Sequence, residues 1–118
     1  MPWQYSQSTG NLYHNGNLVA TGYSGYAEAR NNPGMEGAVN LGPIPAGQYS
    51  IGRPQDSRQT GPHVLPLTPV GHNALGRHSF QIHGDNRTNN ASTGCIIMPR
   101  AIRERISSSA DNRLDVRY

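Results

Sequence analysis

Cys95 is the chain's single cysteine. It closes the run Ala91-Ser92-Thr93-Gly94-Cys95 and opens the apolar run Ile96-Ile97-Met98. His83 lies twelve residues upstream, at the end of Phe80-Gln81-Ile82-His83. One thiol cannot form an internal disulfide, so its use is either packing or reactivity. The thiolate is the reactive form of cysteine, and an imidazole beside it can take its proton. If the two apolar runs are neighbouring strands, His83 and Cys95 can meet at one end. The pair would then attack a carbonyl carbon.

That chemistry makes further demands. The tetrahedral oxygen needs preorganised N–H donors, and losing one such donor costs about 10²–10³ in rate. Gly94 lets the backbone turn tightly, so the Cys95 N–H and a neighbour can face that oxygen, with Ser92 and Thr93 shaping the same turn. The imidazole must be held in one tautomer, which a backbone carbonyl can do. The carbonyl of Gly84 is the nearest candidate. Asp85 is either a side-chain orienter or a cap of its own loop, and Asn86 follows it. Taken singly, a cysteine in an apolar strand is a small buried hydrophobe, and a lone histidine is a structural residue. Together the parts answer different needs of one mechanism.

The elements that must position them read as mainly β. Strands are predicted over 3–6, 12–14, 18–20, 48–52, 79–83, 95–98 and 114–118. Asn15-Gly16 supplies a two-residue hairpin turn. The segment 22–42 is a glycine-rich loop, either lining a groove or serving as a loose connector. The segment 54–63 reads as a polar connector. The run 64–68 is apolar, but Pro66 predicts an edge or bulged strand there. Pro99 starts a short helix over 100–106, with Arg100, Arg103 and Arg105 on a solvated face. The sequence shows no repeat and no internal boundary, so 118 residues are expected to form one domain, 1–118.

Composition narrows the function. Hydrophobic residues make up 34%, with 14 glycines and 9 prolines. This points to a loop-rich β protein and away from a helical bundle. No apolar run approaches the ~18 residues that cross a bilayer, so no membrane insertion is expected. The opening Met1-Pro2-Trp3-Gln4-Tyr5 has neither a basic nor an apolar signal region. The net charge is +3 and every basic residue is arginine. The arginines are scattered, without a basic aromatic groove, which argues against nucleic acid. A carboxylate-bearing polymer is compatible with that charge.

His83-Gly84 followed by Ser92-Thr93-Gly94-Cys95-Ile96 resembles the signature of the YkuD-type L,D-transpeptidases. Gly42-Pro43-Ile44-Pro45-Ala46-Gly47-Gln48-Tyr49 is similar to that family's turn and strand. The likeness extends to small L,D-transpeptidase-like effectors of type VI secretion systems. It rests there on the opening 3–10, on Arg30-Asn31-Asn32-Pro33, on the run 68–77 and on His83-Gly84-Asp85-Asn86. The resemblance implies a compact β-sandwich or barrel with one short helix after the cysteine strand. It implies Cys95 as nucleophile, His83 as base and Gly84 as the carbonyl partner, with no cofactor and no metal. It implies peptidoglycan stem peptides as substrate, through a Cys95 thioester that leads to L,D-carboxypeptidase cleavage or D-amino acid exchange. Partners would be a secretion apparatus and a cognate immunity protein, and the site of action the periplasm of target bacteria. Thr93 and Ile97 replace the histidine and arginine usual in cell-wall members. Arg77, His78 or Arg100 would then position substrate.

Three rival readings remain. A zinc domain could draw ligands from His14, His63, His72, His78, His83, Asp85 and Cys95, but no close-set ligand pair is present. A non-catalytic wall-binding module would not need the intact His83 and Cys95. A housekeeping cross-linker would need a signal for export.

Overall fold

A computed structural model describes residues 2–58, 60–86 and 92–118. The fold is mainly β, with a nearly closed, barrel-like sheet and one α-helix, as the sequence predicts. The strands are β1 (Trp3–Ser6), β2 (Asn11–His14), β3 (Asn17–Thr21), β4 (Tyr23–Ser24), β5 (Gly47–Ile51), β6 (Gln55–Ser57), β7 (Gly61–Val70), β8 (Phe80–His83), β9 (Ile96–Ile97) and β10 (Arg113–Arg117). Helix α1 (Arg100–Ser108) follows β9.

The sheet order is β3-β2-β1-β10-β5-β7-β8-β9-β4, with β6 paired to β7. The two ends of this order, β3 and β4, are consecutive in the chain and joined by Gly22 alone. The sheet therefore curls back on itself. At Gly22 the backbones touch: a Cβ there would stand 1.8 Å from Ile97 O, so only glycine fits. Closure removes exposed ladder groups that would otherwise invite pairing with other chains.

Alternation sets the core. Trp3 and Tyr5 of β1, Leu114 and Val116 of β10, Tyr49 and Ile51 of β5, and Leu65 and Leu67 of β7 point inward. So do Phe80 and Ile82 of β8 and Ile96 of β9. The pleat then turns Gln81, His83, Cys95 and Ile97 to the other face.

Two expectations fail. The supposed connector 54–63 contains β6 and the start of β7. β7 itself is an interior strand, with β5 on one side and β8 on the other. Pro66 is tolerated because Gly52 donates to its carbonyl at 2.8 Å, while the β5 ladder covers only Leu67–Val70. The donor that proline lacks falls beyond the end of that ladder.

Candidate active site

β8 and β9 run parallel, with Ile82 opposite Ile96 and His83 opposite Ile97. Cys95 is one residue ahead of β9. The register thus puts Cys95 and His83 on one face of adjacent strands, two positions apart along the sheet. Among the described residues no hydrogen bond joins them. The thiol contacts Ser79 O at 3.8 Å.

His83 is buried, and its Nδ1 bonds the Gly84 carbonyl at 2.8 Å. A carbonyl only accepts, so the proton is on Nδ1 and Nε2 is the basic nitrogen. Burial first, against the Gly84 hydrogen bond, pulls the imidazole pKa below its ordinary value, and the Arg103 charge adds to this. Burial also raises the Cys95 pKa, opposed by the Gln81 backbone and the Arg77 charge. Both shifts favour the uncharged forms. The resting pair is a neutral thiol and a neutral base.

The turn before Cys95 is held by Ser92, which is fully buried. Its Oγ accepts from Gly25 N–H (2.9 Å) and Gly94 N–H (3.2 Å) and donates to Cys95 O. The Gly94 N–H is therefore occupied. The Cys95 N–H, which has no acceptor among the described residues, is the donor left for an oxyanion. Gly94 O accepts from Ser24 Oγ at 3.0 Å. Gly94 has φ +146°, and a Cβ on it would stand 2.6 Å from Arg77 Nη2. A side chain does not fit there.

Arg77 is buried, and both its terminal nitrogens are committed. Nη1 bonds Glu36 O and Pro43 O, and Nη2 bonds Gly42 O (3.0 Å) and Thr93 O (3.1 Å). It staples the segment 36–43 to the cysteine turn. That segment is thus no loose connector: Val39 and Asn40 line the same cleft of about 220 Å³ as His78, Ser79, Thr93 and Cys95. His78 is exposed beside Ser79 Oγ (2.9 Å), and Thr93 is exposed on the rim. Asp85 does not touch His83. It accepts from Tyr23 OH and from Asn86 N–H, so it caps the loop. The predicted polar loop lies outside the described residues over 87–91.

Sequence reasoning missed two buried residues. Ser24 ties Gly94 O to Ile44 N–H through one hydroxyl. Arg103 was expected on a solvated face but is 6% exposed. It donates to Met98 O, Pro62 O and His63 O. The signal was available: Ile102, Arg103 and Ile106 share one helical face, and a charge on that stripe must turn inward or disrupt it. Arg100 and Arg105 are exposed as expected.

The barrel-like β fold opens one thiol to a cleft and sets a carbonyl-anchored imidazole on the next strand. Residues 19–116 match the model of the Tlde1 domain. The chain belongs to that family, a family of type VI secretion effectors. No curated protein and no solved structure matches it. No helix among the described residues is long and apolar enough to cross a membrane.

Proposed function

We propose that this protein is a cysteine acyl-transfer enzyme acting on peptidoglycan stem peptides, with the whole of 1–118 forming one catalytic domain. The observation that carries the reading is the His83 Nδ1 bond to Gly84 O. It fixes the tautomer that a base needs, on the strand next to the sole thiol. His83 Nε2 takes the Cys95 proton as sulfur bonds the carbonyl carbon. Closing from the register separation to proton-transfer distance accompanies substrate binding, since such contacts often tighten only in the complex. The oxyanion is met by the Cys95 N–H. The C–N bond then breaks, and the imidazolium returns its proton to the leaving amine. The product is a thioester on Cys95. Water attacks it with His83 again as base, giving a carboxylate and the free thiol. A D-amino acid amine in place of water gives exchange.

Ser92, Gly94 and Arg77 are positioning residues, and Thr93 and His78 line the cleft that receives the peptide. Asp85 and Asn86 hold the loop after the histidine. Membership of a type VI effector family supports injection into target cells and action in their periplasm as an antibacterial toxin. A cognate immunity protein would protect the producer. The test is mass analysis of diaminopimelate-containing muropeptides after incubation with the protein. Loss of the terminal D-alanine marks carboxypeptidase action, and its replacement marks exchange. Cys95→Ala and His83→Ala should lower turnover by at least about 10³-fold, the scale of losing a nucleophile or its base, with the fold retained. Unchanged muropeptides with folded wild-type protein overturn the reading.

A further inference from the structure

A second cleft, of about 570 Å³, opens at the opposite end of β8 and β9 from Cys95. Gly84 and Asp85 form one wall, and Tyr23, Arg30, Arg100 and Arg103 contribute to the others. Arg103 is the unusual member. Its guanidinium is almost fully buried, yet its acceptors are three neutral carbonyls, two at Nη1 and one at Nε. Among the described residues no carboxylate comes within ion-pair distance of it. Nη2 has no acceptor among them either, and it faces Gly84: a Cβ on that glycine would stand 3.0 Å away. Arg30 stacks on the Tyr23 ring at 3.7 Å. Arg100 stands at the start of α1, with its Nε on Glu104. Asp85, the one carboxylate in the wall, is engaged by Tyr23 and Asn86.

A desolvated cation without a counter-ion is costly, and an anion that reaches it forms a strong charge-assisted bond. We propose that this cleft is a carboxylate subsite for the peptide substrate, with Arg103 Nη2 as the anchoring donor and Arg30 and Arg100 at its rim. The inference rests on the stem-peptide reading above. Cys95 lines one cleft and Ile97 the other, two residues or about 7 Å apart along the strand. A peptide carboxylate held there lies within a residue or two of a carbonyl at Cys95. A stem tetrapeptide carries three such groups, on γ-linked glutamate, on the D-centre of diaminopimelate and on the terminal D-alanine.

The test uses the tetrapeptide L-Ala-γ-D-Glu-diaminopimelate-D-Ala and three versions, each amidated at one of these carboxylates. Each is titrated calorimetrically into Cys95→Ala protein. The acid should bind at least tenfold tighter than one of the amides, and that amide identifies the carboxylate. Arg103→Lys in the same background should abolish most of the difference, and Arg100→Gln should reduce it severalfold. Equal affinity for all four peptides, no binding of any, or full discrimination retained by folded Arg103→Lys overturns the subsite. Should Arg103→Lys not fold, the Arg103 side-chain N–H signals decide. They should move with the acid and not with the discriminated amide, and signals that do not move overturn it. Turnover by protein with Cys95 intact is read separately. Discriminating binding without turnover sinks the hydrolase reading and leaves the subsite. Turnover with equal KM for the four peptides does the reverse.

Discussion

At the residue scale, the His83 imidazole and the Cys95 thiol are both biased towards their uncharged forms. A pair of this kind does not store a thiolate. In the proposed mechanism it makes one when substrate arrives, and the rate then depends on His83 being neutral. Burial lowers the His83 pKa, so the imidazole stays neutral further into acid than a free one does. The acid limb of kcat/KM should have its midpoint below 6.5, the ordinary value, and the rate should hold from there through neutral pH. Stopped assays on a stem tetrapeptide across pH 4–8 check this, the range bracketing the ordinary imidazole pKa of about 6.5. A midpoint above 6.5 would mean that a charged partner outweighs burial at the imidazole.

At the element scale, the cysteine turn is defined by Ser92, Gly94 and Arg77 acting together. Gly94→Ala sets a side chain at φ +146°, 2.6 Å from Arg77 Nη2. Such strain costs roughly 1–3 kcal/mol, which lowers the melting temperature by about 4–12 °C in a chain of this size. Activity should fall by at least about tenfold, because the Cys95 N–H moves with the turn. Calorimetry and a turnover assay on the same variant check both effects. The placement of this turn beside the histidine strand was legible in the sequence. A glycine before a sole cysteine, and a histidine closing an apolar stretch, are local signals. What was not legible depends on direction. Pro66 breaks a ladder only if its missing N–H faces a partner, and here it faces past the end of one. Arg103 was read by its charge, although its place between Ile102 and Ile106 made it an inward residue.

At the scale of the whole molecule, the first and last strands lie side by side. β1 and β10 pair in parallel, from Trp3 with Leu114 to Ser6 with Arg117. No pattern in the sequence announces a pairing across more than a hundred residues, whereas the hairpin at Asn15-Gly16 is visible in two letters. The join is reinforced by Trp3, whose ring stacks on His14 at 3.9 Å, and by His14, which bonds Asp111. That bond holds the Asp111 carboxyl below its ordinary value. A depressed carboxyl stabilises the fold above its unfolded pKa and loses the contribution as pH falls through the folded one. Asp111→Asn should therefore melt lower than wild type at pH 7, with the gap narrowing as the pH falls below the ordinary carboxyl value of 3.8. Thermal melts from neutral pH down into acid check this. A gap that persists in acid would assign the effect to packing. The central claim remains that the sole thiol of this chain carries the acyl group. Its most direct test is the intact mass of the protein, quenched in acid during turnover of a stem tetrapeptide. The account predicts a tripeptide acyl adduct mapping to Cys95 and absent from Cys95→Ala. A Cys95→Ala protein that still releases D-alanine at the wild-type rate would contradict it.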